Sequence, residues 1–182
     1  MIQTFAASAL LFSLFTGVSA QERAPRALTD EGACPFECCQ YGRWTTTKAT
    51  PAFTSPGAKR AAFTIPAGTT VTALTGYVRT VGQPFVVTRP HAPYKSGDTL
   101  MVYTYHGEGM FSVWHRGKTL MEDLGFSPYG GTGGKRCTDK EHCWGTLSGE
   151  LQSDWWVQVR LENGKTAWVL GSNGFQGQDA CG

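Results

Sequence analysis

The sequence predicts an all-β protein that is braced by disulfide bonds, and three observations point to this class. Several short segments alternate apolar and polar residues with the two-residue period of a half-buried strand, and no long amphipathic helix is visible. Turn residues are frequent, since the 182-residue chain has 23 Gly and 9 Pro. The six Cys form an even set that suits a disulfide framework. Together these features favour a small barrel or a sandwich.

The charge of the chain is low and nearly balanced. Charged residues make up 16% of the sequence, below the ~25% that is typical of soluble domains. The net charge of +2 is too mild for a nucleic-acid-binding protein, which needs a concentrated basic stripe. We therefore expect no nucleic acid partner.

The first twenty residues have the pattern of a signal peptide. An apolar run rich in Leu and Phe ends at Val18-Ser19-Ala20, where small residues suit a signal peptidase, and polar residues follow at once. The run carries no basic residue before it, so an uncleaved anchor is the alternative. We expect residues 1–20 to be removed, residues 21–33 to form a disordered leader, and the protein to be secreted or periplasmic without a membrane span.

Residues 34–128 are predicted to form an N-terminal β region. Residues 45–56 are extended but make a poor central strand, because Pro51 and Pro56 cannot donate to a ladder. Residues 99–106 and 110–115, joined by Gly107-Glu108-Gly109, are predicted to form a hairpin. The predicted strands of this region are 62–65, 71–78, 83–88, 99–106 and 110–115.

The glycine-rich stretch 129–136, YGGTGGKR, is predicted to be a connecting loop. It is not a phosphate-binding loop, because Tyr129 stands where the first Gly of that motif is needed and Arg136 stands where Ser or Thr is needed.

Residues 155–162 and 165–170 are predicted to form a β-hairpin around Asn163-Gly164, a pair that suits a two-residue type I′ turn. Closing this turn on Glu162 and Lys165 would place Val159 opposite Trp168 and Val157 opposite Leu170. Trp155 and Trp168 would then belong to the core.

The cysteines fall into an N-terminal and a C-terminal group of three, so at least one bridge is expected to join the two groups. A bridge between the neighbours Cys38 and Cys39 would be strained. We expect Cys34 to pair with Cys38 or Cys39, Cys137 to pair with Cys143, and the remaining N-terminal Cys to pair with Cys181. The alternative is a metal site that uses these Cys and His142, although the two-residue spacer common in zinc sites is absent.

Three segments resemble bacterial SH3-like (SH3b) domains. Residues 155–170, WWVQVRLENGKTAWVL, look like the closing strands of such a domain, and residues 65–78, IPAGTTVTALTGYV, resemble an earlier part. Residues 95–118 have a similar succession of alternating strands and glycine turns. The resemblance implies small SH3-like barrels, one elaborated or two packed, with residues 137–182 forming C-terminal SH3-like strands.

The same resemblance implies a non-catalytic binding module without a cofactor. SH3-like domains of bacterial envelope proteins hold peptides or cell-wall material, so peptidoglycan or an envelope protein is the expected partner. Exposed aromatic side chains suit such binding, because they stack on sugars and peptides. The candidate ligand-binding residues are Tyr105, Trp114, Trp144 and Trp156, and the alternative is that they cover a second packed module.

Other functions have weaker signals in the sequence. His91, His106, His115 and His142 are candidate bases. His106 can contact Glu108, with Ser112 nearby, but surface polar groups in a hairpin give the same pattern. Glu122-Asp123 could be a paired carboxylate or a solvated turn. No hydrolase or metalloprotease motif occurs, so we expect no catalytic residue and no metal. The alternatives are a secreted inhibitor or protective protein that presents loop 137–143, and a metal-dependent enzyme.

Overall fold

A computed structural model describes residues 23–131, 133–171 and 174–181. All regular secondary structure in these ranges is β-strand, which confirms the predicted all-β class. The strands are β1 Ala27–Glu31, β2 Gly42–Thr46, β3 Thr50–Ala52, β4 Phe63–Ile65, β5 Thr70–Val81, β6 Gln83–Val87, β7 Thr99–Gly107, β8 Met110–His115, β9 Lys118–Asp123, β10 Gly145–Leu147, β11 Gln152–Leu161, β12 Thr166–Leu170 and β13 Phe175–Gln176. The predicted signal peptide, residues 1–20, lies outside the described residues.

Within the described ranges, no helix has the length and apolar character that a membrane crossing requires.

The strands form two large antiparallel sheets and one small one. The first sheet has the order β12-β11-β5-β2-β13, and β1 also pairs with β5. The second sheet has the order β10-β6-β7-β8-β9, and β3 pairs with β4 in a separate hairpin. The long strand β5 carries β11 on one side and both β2 and β1 on the other, because its twelve residues exceed the length of either neighbour.

Each large sheet has its own hydrophobic core. The first core includes Trp44 and Trp155, whose ring centroids lie 5.4 Å apart, and the second is built around Phe85 and Phe111. A buried hydrogen bond of 3.1 Å joins the hydroxyls of Thr80 and Thr104 and so links the two sheets. Buried apolar residues from most strands of each large sheet therefore form a core against that sheet.

The second sheet is inserted between β5 and β11 of the first. Strand β11 pairs with β5 from Gln152 opposite Val81 to Leu161 opposite Val71, so the first sheet is assembled from two distant parts of the chain. The predicted division into 34–128 and 137–182 does not follow the sheets, since β10 belongs to the second sheet and β11 to the first. The predicted loop 129–136 contains no strand among its described residues.

The predicted disordered leader is wrong from Ala27 onward. Residues 27–31 form β1, which pairs with the end of β5 from Ala27 opposite Val81 to Glu31 opposite Tyr77. Its sequence ALTDE lacks a strong apolar alternation, and it is held by backbone pairing with an edge that β2 leaves free.

The C-terminal hairpin is confirmed, but its predicted register is wrong by one residue. Val159 lies opposite Ala167 and Val157 opposite Val169, while Trp168 lies on the other face of the sheet. The loop has three residues: the N–H of Gly164 donates to the carbonyl of Leu161, and Gly164 takes a positive φ of 82°. This is a type I turn with a G1 bulge, a geometry that Asn-Gly also suits.

The structure confirms the disulfide framework. Cys34 bonds to Cys39, Cys137 to Cys143, and Cys38 to Cys181 across 143 residues of sequence. Three disulfides indicate an oxidising environment of the extracellular type.

Candidate functional site

A groove of about 420 Å³ opens where three segments of the chain meet. These segments are the loop 34–39 closed by a disulfide, the turn between β7 and β8, and the connection that follows β9. We call it the acidic groove. Its lining residues are Glu37, Tyr105, Glu108, Gly109, Asp123, Gly125, Phe126, Ser127, Gly130 and His142.

A second hollow of about 510 Å³ shares two residues with the acidic groove, Glu37 and Glu108. It adds His106 from β7, Met110 from β8 and Met121 from β9. The two methionines make its wall more apolar on the side of β8 and β9. The shared carboxylates therefore stand between the two hollows.

The turn between β7 and β8 brings Glu108 to the rim of the groove. Glu108 and Gly109 both take positive φ angles, 49° and 80°, as the two central residues of a type I′ hairpin turn do. A Cβ on Gly109 would lie 2.6 Å from Oδ1 of Asp123, so this position accepts only Gly without displacing the carboxylate. The turn and the end of β9 are thus in direct contact.

Glu37 is the most firmly held carboxylate of the groove. Its Oε1 accepts a hydrogen bond from the backbone N–H of Glu108 and another from the hydroxyl of Tyr105, each 2.9 Å long. These two bonds, the backbone one more strongly, hold the pKa of Glu37 below its usual value. Burial is the main cause that raises the pKa of Tyr105, so this hydroxyl remains a donor.

Asp123 is positioned by the residues that follow β9. Its Oδ1 accepts a 2.8 Å hydrogen bond from the N–H of Gly125, and its backbone carbonyl accepts one of 3.1 Å from the indole of Trp144. The neighbouring Glu122 points away, and its Oε1 accepts a hydrogen bond from Tyr94. Glu122 and Asp123 therefore do not form a paired carboxylate.

No cation of the described chain forms an ion pair with the carboxylates of the groove. The ion pairs found among the described residues are Arg116 with Asp98 and His142 with Asp139, and neither involves Glu37, Glu108 or Asp123. Three carboxylates are thus concentrated in one concave site of a protein whose net charge is +2. A concave site lined by one sign of charge attracts ligands of the opposite sign.

The disulfide-bonded loop 137–143 borders the groove through His142. Nδ1 of His142 lies 2.7 Å from Oδ2 of Asp139, and the N–H of Glu141 donates to the other oxygen of Asp139. These contacts, the backbone one first, keep the pKa of Asp139 below its usual value. The loop therefore has a fixed internal structure besides its disulfide.

The four aromatic residues predicted to bind ligand do not form one surface. Tyr105 lines the acidic groove, but only 6% of its surface is exposed. Trp114 is half-buried on β8 opposite Met101. Their roles in ligand binding stay predictions.

The two remaining residues are buried in different parts of the molecule. Trp144 is 4% exposed and stacks on His91 and Tyr94, with ring centroids 4.3 and 5.5 Å away. Trp156 is 8% exposed and forms a T-shaped contact with Phe53, with ring centroids 5.4 Å apart. The expected exposure is therefore wrong for Tyr105, Trp144 and Trp156, because segments distant in sequence cover these faces.

The groups considered for catalysis are only partly brought together. Nε2 of His106 lies 2.8 Å from Oγ of Ser112, whereas no hydrogen bond joins His106 to Glu108 among the described residues. Within the described part of the chain, no carboxylate is hydrogen-bonded to His106 to orient it. Cys38, Asp179 and Cys181 lie close enough to hold a metal, but both sulfurs belong to one disulfide and are not thiolates.

Sequence reasoning missed Glu37 as a site residue. The segment CPFECC was interpreted through its cysteines alone, although a charged residue inside a short disulfide loop has few ways to avoid projecting outward. Comparison of the chain with protein families, with curated proteins and with solved structures gives no match.

Proposed function

We propose that this protein is a secreted or periplasmic, non-catalytic binding module of SH3-like type that recognises a peptide carrying an amine or a guanidinium group. The observation that carries the proposal is the set of three carboxylates, Glu37, Glu108 and Asp123, which share the acidic groove and form no ion pair with a cation of the described chain.

The charge of the groove favours a peptide over a neutral glycan. A carboxylate forms a charge-assisted hydrogen bond with an ammonium or guanidinium group, whereas a neutral sugar offers no opposite charge. Glycan recognition commonly uses exposed aromatic faces, and Tyr105 presents little of its surface here. Cell-wall peptides with a free amine and Lys-containing segments of envelope proteins both have the required chemistry.

The proposed location agrees with two features of the chain. The apolar run before Ala20 has the pattern of a secretory signal, and the three disulfides suit an oxidising compartment.

The proposal is tested with a matched pair of short peptides that differ only in acetylation of one lysine amine. We expect the free amine to bind, the acetylated peptide to bind at least tenfold more weakly, and the affinity to fall as salt is raised, because salt screens exposed charges. Isothermal titration calorimetry measures all three. Equal binding of both peptides, or binding of neither at millimolar concentration, would refute the proposal.

The groove itself is tested with Glu37→Gln, Glu108→Gln and Asp123→Asn, separately and together. The matched control is Glu162→Gln, which removes an exposed carboxylate from the distant hairpin turn. We expect the groove variants to lose affinity and the control to keep it. Stem peptides released from cell walls and synthetic Lys peptides, compared side by side, distinguish the two sources of the ligand.

A secreted inhibitor is the second candidate, and one observation favours it. Loop 137–143 is closed by a disulfide, and Lys140, Glu141 and His142 are exposed on it. Preorganised loops bind partners at a low entropic cost. A wall-binding protein pellets with purified sacculi and releases with a Lys peptide, whereas an inhibitor stays in solution.

A further inference from the structure

Strand β9 is an exposed edge of the second sheet. It pairs with β8 on one side, and no described strand pairs with it on the other. Five of its six residues are exposed, including the apolar side chains of Leu120 and Met121, which are 38% and 50% exposed. Unprotected edges of this kind accept a further strand.

The alternation of hydrogen bonds along β9 identifies the backbone groups that point outward. The turn before β9 has two residues, Arg116 and Gly117, with φ angles of 49° and 84°, so the flanking pair His115 and Lys118 is hydrogen-bonded. Leu120 and Glu122 then also direct their backbone groups to β8. The N–H of Leu124 continues this series, since it donates to the carbonyl of Gly109.

The outward backbone groups of β9 therefore belong to Thr119, Met121 and Asp123. The carbonyl of Asp123 accepts the indole hydrogen bond of Trp144. The N–H and C=O groups of Thr119 and Met121 have no hydrogen-bond partner in the described part of the chain. These four groups define the site at which another strand could add.

The sequence of β9, KTLMED, is complementary to itself in one antiparallel register. Outward residues must face outward residues, so Thr119 is placed opposite Met121 of the second strand and Met121 opposite Thr119. This register brings Lys118 opposite Glu122 at both ends and Leu120 opposite Leu120 in the centre. Opposite charges and apolar side chains directly across a ladder are mutually stabilising.

We propose that β9 pairs antiparallel with β9 of a second copy of this chain, forming a twofold-symmetric dimer with a sheet that continues across the interface. Four backbone hydrogen bonds join Thr119 and Met121 of one copy to Met121 and Thr119 of the other. The contact is isologous, as a twofold axis requires. It lies on the edge of the second sheet and leaves the carboxylate of Glu37 outside the pairing.

The test is the oligomeric state of the folded protein, measured by sedimentation velocity and by light scattering between 10 µM and 1 mM. We expect wild-type protein to reach twice the monomer mass in this range. The amides of Thr119 and Met121 should exchange with deuterium more slowly as concentration rises. A wild-type protein that remains monomeric at 1 mM overturns the proposal.

Charge exchange provides the decisive control. Lys118→Glu places Glu opposite Glu, and Glu122→Lys places Lys opposite Lys, so each variant alone should be monomeric. An equimolar mixture restores opposite charges at both ends and should form a heterodimer. Dimers in both single variants, or no association in the mixture, would contradict the proposed register.

Glu122→Lys also removes the Tyr94–Glu122 hydrogen bond, so a third variant tests the interface while keeping this bond. Thr119→Pro removes an outward N–H and no hydrogen bond to β8, so it should abolish the dimer while circular dichroism stays unchanged. Lys165→Glu, a charge reversal in the exposed hairpin turn, should leave the dimer intact. A dimer that persists in Thr119→Pro would show that β9 is not the interface.

Discussion

The hydroxyl of Tyr105 donates a 2.9 Å hydrogen bond to the carboxylate of Glu37, 68 residues earlier in the chain. Tyr105 belongs to the second sheet, whereas Glu37 lies in the loop that Cys34 and Cys39 close. Two of the segments that shape the acidic groove are therefore held together by this hydrogen bond and not by a disulfide between them.

Removal of the Tyr105 hydroxyl should change the titration of Glu37. In Tyr105→Phe, one donor to the ionised carboxylate is lost, so the pKa of Glu37 should move upward toward its ordinary value. Carbon-detected NMR titration of the Glu side chains measures the change. Tyr129→Phe is the matched control, because its hydroxyl donates to the carbonyl of Pro35 in the same loop and not to Glu37.

The stability of the protein should depend on Glu37 in a pH-dependent way. The pKa of Glu37 is lower in the folded protein than in the unfolded chain, so its ionised form stabilises the fold. This contribution is complete above the unfolded value near 4.5 and is lost as the pH falls through the lower folded value. The melting temperature of the wild type should therefore exceed that of Glu37→Gln at pH 7, and this difference should be smaller at pH 3. An equal difference at both pH values would contradict this assignment.

The three disulfides should contribute unequally to stability. In the chain-entropy model, the Cys38–Cys181 bridge, which spans 143 residues, is worth about 5 kcal/mol, and the Cys34–Cys39 bridge, which spans 5, about 2 kcal/mol. Replacing each pair with Ser and measuring urea denaturation tests the order. A larger loss from the short bridge would show that local structure, rather than loop length, governs its effect.

The turn of the C-terminal hairpin makes a separate prediction. Gly164 takes a left-handed φ of 82°, so Gly164→Ala should cost about 1 kcal/mol. Asn163 is not among the described residues with positive φ, and Asn163→Ala should lose only the hydrogen bond that its Oδ1 accepts from the N–H of Lys165. A type I′ turn would make Asn163 strained as well. Thermal unfolding of both variants distinguishes the two turns.

Local features of the fold could be predicted from the sequence. The hairpins around residues 107–109 and 163–164 were located because alternation and turn residues lie in the same short segment. The register of the second hairpin could not be chosen, since Asn-Gly suits both a two-residue turn and a type I turn with a bulge. This difference of one residue in the register decides whether Trp168 faces the core.

Pairing between distant strands could not be predicted in the same way. Nothing in the alternation of β5 selects β11, 71 residues further on, over a nearer strand. The acidic groove was missed for this reason, because Glu37, Glu108 and Asp123 meet only through tertiary packing. The burial of Trp144 has the same cause, since its partners His91 and Tyr94 lie some fifty residues earlier.

The insertion of the second sheet between β5 and β11 sets an order of events during synthesis. Strand β5 leaves the ribosome several seconds before β11, at the usual rates of about 5–20 residues per second. In that interval, one long edge of β5 has no partner, while the strands β6 to β9 can already pair with one another. We therefore expect the inserted sheet to be the earlier folding unit in the nascent chain, and β5 to be the segment that most needs protection from association until β11 arrives.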